Sequence, residues 1–259
     1  MIKTNPAEKG NIQLQISGDV AHITIVRSAK RNAFDDRLID IFVETVTHLA
    51  QQNIRAVVLT GDGGDSFCAG YDITCIDPDQ SLDNPLPDLR FERTIDALKQ
   101  IPVPIIAALN GDAYGGGLDL ALACDFRVAR KGIRVAMPPC RLGLVYSASG
   151  ISRFIAKLGS QTTRHLFLAT RTFSDEQALT HCIVDELVKD TELADRVLQL
   201  ATAITANAPL AVLGTRYTID RVENGLATTP DVIQTMETHR HTAFSSPELR
   251  NRLDAFKKK

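Results

Sequence analysis

Apolar positions along the chain switch repeatedly between two spacings. Residues 22–26 and 55–60 are short runs rich in isoleucine and valine, which read as strands. Between them Leu38, Ile41, Phe42, Thr45, Val46 and Leu49 recur at helical spacing and mark an amphipathic helix. The order then repeats, with a helix ending near Ile101, a strand over 103–109 and an apolar helical run over 118–123. Residues 125–129 and Val135 add short strands. Helices alternating with strands predict an α/β architecture. The second half is chiefly helical. Ser174 and Gln177 form a capping box, Pro209 suits the first turn of a helix ending near Gly225, and Ser246-Pro247-Glu248 opens a last helix. Residues 76–88 break the pattern with three prolines and four aspartates, and read equally as a lid or as a solvated insertion.

Composition narrows the function classes. The 259 residues fit one large domain or a domain with a helical extension. A net charge of −2 and a pI near 6.3 leave no basic footprint for nucleic acid. No apolar run reaches the ~18 residues of a membrane span, and the N-terminus lacks the apolar core of a secretory signal. Five cysteines without CxxC spacing argue against a disulfide framework and a zinc site, and suit reduced thiols in the cytoplasm. Cys68 reads first as a small buried filler. The six histidines fall in no metal-ligand spacing.

Two small-residue loops carry the candidate chemistry. Tyr114-Gly115-Gly116-Gly117-Leu118-Asp119 follows the 103–109 strand and enters a helix. Glycine lets backbone approach a ligand closely, and the first N–H groups of a helix lack intrahelical acceptors. Ser66-Phe67-Cys68-Ala69-Gly70-Tyr71-Asp72-Ile73 stands likewise beyond the 55–60 strand and its turn. Two such loops can each lend one N–H to a single oxygen, a donor typically being worth about 10²–10³ in rate.

These two motifs, with Lys30-Arg31-Asn32-Ala33-Phe34 before them and Cys124-Asp125-Phe126-Arg127 and Leu142-Gly143-Leu144 after them, resemble the crotonase (enoyl-CoA hydratase/isomerase) superfamily from roughly Ile12 to the C-terminus. The resemblance implies a spiral of ββα units over residues 1–195 and a C-terminal helical extension, 196–259, that forms trimer contacts. A homotrimer or a hexamer built as a dimer of trimers is expected. It also implies an acyl-CoA substrate, passage through a thioester enolate, and no cofactor beyond the coenzyme A of the substrate.

Carried over position by position, the enolate oxygen would meet the N–H groups of Tyr71 and Gly116. A bulky residue at Gly116 should then lower the rate without lowering thermal stability. Asp119 stands where hydratases usually have the first catalytic glutamate, and its alternative is a structural acid in a first helical turn. Pro139 occupies the place of the second glutamate, so hydration by two carboxylates is in doubt. Tyr146, where many hydratases carry proline, resembles the methylmalonyl-CoA decarboxylase branch. There it could orient a departing carboxylate while Asp119 assists or protonates; otherwise it is a half-buried aromatic whose hydroxyl finds a partner. Arg27, Lys30 and Arg31 would meet the phosphates of CoA. Ala33, Ala69, Gly70, Asp72, Ile73, Gly115, Pro139 and Leu142 would line the substrate site. Single-acid hydration or isomerisation, decarboxylation, and a non-catalytic homologue that keeps the fold are the readings left open.

Overall fold

The computed structural model describes residues 10–77, 86–223, 225 and 229–257, with side chains described through 254. Strands β1 (Asn11–Ser17) and β2 (Val20–Val26) form a hairpin that leads into α1 (Asp36–Leu49). Asp35 caps α1 by accepting from Leu38 N–H at 2.8 Å. The helix buries Leu38, Ile39, Phe42, Val46 and Leu49, so its inward stripe includes Ile39 in place of Ile41 and Thr45.

Next come β3 (Ala56–Gly61), β4 (Ser66–Cys68), α2 (Pro87–Lys99), β5 (Ile105–Leu109), β6 (Asp112–Tyr114), α3 (Gly116–Leu122), β7 (Phe126–Arg130) and β8 (Arg134–Ala136). The strands form a six-stranded sheet ordered β1-β2-β3-β5-β7-β10 and a four-stranded sheet ordered β4-β6-β8-β9; from β3 to β8 the chain alternates between the two. The cycles β3-β4-α2 and β5-β6-α3, and β7-β8 with the helix after them, each lay one strand in each sheet and return through a helix, as a ββα spiral requires. The three-residue strands β4 and β6 lie within or beside the glycine loops.

The remaining elements are α4 (Ala148–Phe167), β9 (Phe173–Ser174), α5 (Asp175–Thr180), β10 (Glu186–Val188), α6 (Leu193–Thr205), α7 (Pro209–Glu223), α8 (Pro230–Ser245) and α9 (Pro247–Lys257). The Ser174–Gln177 capping box forms at α5.

β5 and the first four residues of β3 are apolar on both faces because both faces of the larger sheet are covered. Val57, Leu59, Ile105 and Ala107 pack into the main core with Phe34, Phe42, Phe67 and Phe91. Ala56, Val58, Ile106 and Ala108 face the other way, onto Val197, Ala201 and Ile204 of α6. The expected boundary at residue 195 therefore falls inside a helix of the core, and the helices that leave the sheet begin at Pro209. Arg216 of α7 fastens them back through Asp125 at 2.9 Å and the Ile101 carbonyl at 3.0 Å. No single helix among the described residues is long and apolar enough to cross a membrane.

Candidate active site

The loop after β4 is gripped from one side by the segment after β2. Ala69 N–H donates to Arg31 O at 3.0 Å, Phe34 N–H to Gly70 O at 2.8 Å and Asp72 N–H to Phe34 O at 2.7 Å. Strand-like alternation turns the N–H of Tyr71, between them, the opposite way, and it has no acceptor among the described residues. At the start of α3, Gly115 N–H donates to Ala136 O at 2.9 Å, while Gly116 N–H likewise has no acceptor among the described residues. The two loops touch backbone to backbone. A Cβ on Gly70, whose φ is +84°, would stand 2.6 Å from the Gly116 nitrogen. Sequence spacing alone does not supply that approach; the parallel pairing of β4 with β6 does.

Both residues border a cavity of about 280 Å³. Ala69, Ile73, Gly115, Phe91, Pro139, Leu142 and Tyr146 also line it. Among the described lining residues Asp88 is the only carboxylate, and no lysine, arginine or histidine takes part. A larger cavity of about 460 Å³ lies between α4 and α7, is rich in charged side chains, and receives neither glycine loop. The smaller one is where the loops open. Of the 76–88 segment, residues 78–85 lie outside the described residues, but Ile76, Leu86, Pro87 and Asp88 at its two ends do line this cavity.

The Tyr71 side chain turns from the cavity chemistry and donates through its hydroxyl to Asp36 Oδ1 at 2.9 Å. Burial, then that hydrogen bond, push the phenol up to about 12. Cys68, behind the loop, is fully buried and its thiol is pushed up to about 12 by burial, so it is a filler and not a thiolate nucleophile.

Three expectations need correction. Arg27 is no phosphate ligand: it is 6% exposed, donates to Ala33 O at 2.9 Å and pairs with Asp35 and Asp72 at 3.1 Å each. Asp72 does not meet substrate either. Its Oδ1 accepts from the Thr74 N–H and hydroxyl, and its Oδ2 faces Arg27. Burial raises this carboxyl, but the Thr74 hydrogen bonds and Arg27 outweigh it and hold it below its usual range. Both residues shape the loops. Gly116, lastly, is not a separable kinetic probe. An added Cβ would stand 2.8 Å from the Phe91 ring, which is 1% exposed in the core, so rate and stability would fall together. Of the proposed CoA contacts Lys30 and Arg31 remain exposed, while Ala33 is buried.

Asp119 is 0% exposed and does not reach the cavity surface. Arg153 donates to its Oδ1 at 2.6 Å and its Oδ2 at 3.0 Å, and Tyr146 donates to Oδ2 at 2.9 Å. Arg153 also donates to Glu92 at 3.1 Å. Burial works against the Arg153 charge, but Asp119 and Glu92 outweigh it and keep the guanidinium protonated. Burial first, then the Asp119 charge, push the Tyr146 phenol well above its ordinary value. Tyr146, unlike Asp119, lines the cavity. Sequence reading missed Glu92 and Arg153. Their signal was a charged residue on the inward stripe of a helix: Arg153 beside Phe154, and Glu92 between Phe91 and Ile95.

Comparison with known proteins gives the geometry a family. The enoyl-CoA hydratase/isomerase family matches residues 15–259. The short-chain-enoyl-CoA hydratase of Clostridium acetobutylicum is 28% identical over 251 residues, 96% of this chain and 95% of that protein. Carnitinyl-CoA dehydratase of Salmonella paratyphi A is 30% identical over 207 residues, 78% of this chain and 77% of that one. The crystal structure of an enoyl-CoA hydratase from Bacillus anthracis superposes with a TM-score of 0.85 at 26% identity, over 96% of both chains. A match that starts within β1 and takes in every later strand and helix covers well over half of the chain, and the chain belongs to the enoyl-CoA hydratase/isomerase family.

Proposed function

We propose that the protein converts an acyl-CoA with an uncharged, largely apolar acyl group, through an enolate held by the N–H groups of Tyr71 and Gly116. The observation that carries this reading is the pair of N–H groups without acceptors among the described residues, on loops in backbone contact, at the wall of one apolar cavity. A thioester carbonyl seated there gains negative charge as the enolate forms, and each donor contributes about 10²–10³ in rate. Lys30 and Arg31, exposed beside the loops, are the cations we assign to the CoA phosphates. Hydration or dehydration is the first reading: the two relatives named above are called a hydratase and a dehydratase.

Decarboxylation of a methylmalonyl-CoA type substrate is the second reading. Pro139 lines the cavity where the family's second glutamate is expected, and departure of CO₂ leaves an enolate without any base. Incubation with crotonyl-CoA and, separately, with methylmalonyl-CoA tests both. The first reading expects water to add to crotonyl-CoA with no CO₂ from methylmalonyl-CoA. CO₂ release without hydration would replace the first reading by the second. Binding of butyryl-CoA without turnover of either would indicate a non-catalytic homologue. We further propose a homotrimer or a dimer of trimers, supported by exposed Ile219, Val222, Ile233 and Phe244 on α7 and α8.

A further inference from the structure

Behind the cavity three helices close a charged cluster into the core. Glu92 of α2, Asp119 of α3 and Arg153 of α4 are 9%, 0% and 9% exposed. Two acids against one base leave the cluster formally at −1, so its burial is not offset by pairing alone. An ion cluster of this kind is often no more stable than apolar packing of the same volume. Stability therefore gives no reason for its presence, and its fourth member suggests another. Among the described residues Tyr146 is the one side chain that both joins the cluster and lines the cavity.

A phenol has a single proton to give. Tyr146 gives it to Asp119 Oδ2 at 2.9 Å, a charge-assisted bond held in place by Arg153 on both carboxylate oxygens. The cavity is then left with the lone pairs of the phenol oxygen. A substrate carboxylate placed there would be repelled, whereas a water or an alcohol can donate to it.

We propose that Asp119 acts on the substrate through Tyr146, the phenol relaying a proton between a water in the cavity and the buried carboxylate, with Arg153 and Glu92 as positioning residues. This deepens, and rests on, the enolate reading above. In the hydration direction the water oxygen bonds to Cβ. One water proton passes to Tyr146 Oη as the phenol proton passes to Asp119 Oδ2. The Cα=Cβ electron pair moves to form the enolate, whose oxygen faces the Tyr71 and Gly116 N–H groups. The proton on Asp119 then returns through Tyr146 to Cα, the carbonyl re-forms, and phenol and carboxylate end as they began. Dehydration runs the same steps backwards.

The test compares wild type, Tyr146→Phe, Asp119→Asn and the double variant on crotonyl-CoA, with butyryl-CoA affinity measured by calorimetry. Each single variant should lose at least about 100-fold in kcat, the range of lost acid–base catalysis, with KM and butyryl-CoA affinity little changed. The double variant should be no slower than the slower single one, because the two groups act as a unit. Tyr146→Phe removes one oxygen only, and carries the test by itself where Asp119→Asn fails to fold. A wild-type kcat in either single variant overturns the relay, as does a double variant whose loss is the product of the two. Glu92→Gln should lower kcat about tenfold or more at unchanged KM, the usual scale for a group behind a reacting one. A lower melting temperature with unchanged kcat would instead leave Glu92 purely structural. Failure of the enolate reading looks different: wild type itself would neither bind butyryl-CoA nor turn over crotonyl-CoA.

Discussion

Tyr71 serves two ends through separate atoms. Its hydroxyl is committed to Asp36 on α1, while its N–H, at the cavity wall, has no acceptor among the described residues. The second donor depends on Gly70, which has φ +84° and lies against the Gly116 nitrogen. Gly70→Ala is expected to cost about 1–2 kcal/mol in stability from the left-handed backbone alone. The larger effect should be on kcat/KM, lowered by about 100-fold or more as the loops separate and a donor is lost. Urea unfolding and steady-state kinetics on crotonyl-CoA measure the two, and an unchanged kcat/KM would mean that the loops need not touch. The small residues Ala69, Gly70 and the glycines at 115–117 were legible in the sequence because a backbone donor needs no side chain, only room. The fates of Arg27 and Asp72 were not. Their pairing exists only once the segment after β2 lies along the loop after β4, a contact between residues distant in the chain.

At the scale of elements, α2, α3 and α4 each bring one charged residue to the same buried point. Removing one partner strands the others away from water. Arg153→Met, which leaves Asp119 and Glu92 buried together, is expected to cost about 3–5 kcal/mol, read as a lower urea midpoint at neutral pH. A midpoint equal to wild type would show that the cluster relaxes without its cation. Helical spacing revealed α1 and the helix caps at Ser174, Pro209 and Pro247, since amphipathic stripes and caps are local signals. The strands β4 and β6, three residues each, were too short to show a period and read as loop. Arg153 was obscured for the opposite reason. It is buried beside Phe154, and only the two helices facing it show why a charge belongs there.

At the scale of the molecule, the spiral explains why two loops distant in sequence meet. Consecutive cycles place β4 beside β6 in one sheet, and each loop follows its strand. That arrangement was legible only through the resemblance of ordered motifs to a known family, because periodicity gives the elements but not their pairing. Light scattering should return three or six times the 28.3 kDa chain mass. A monomer would remove the trimer from the account and leave the exposed face of α7 and α8 unexplained. The central claim concerns one oxygen atom. A crystal structure with bound butyryl-CoA tests it most directly: the thioester oxygen should lie within about 2.7–3.1 Å of the Tyr71 and Gly116 nitrogens together. A thioester oxygen bound to any other group, or to only one of these two, would contradict it.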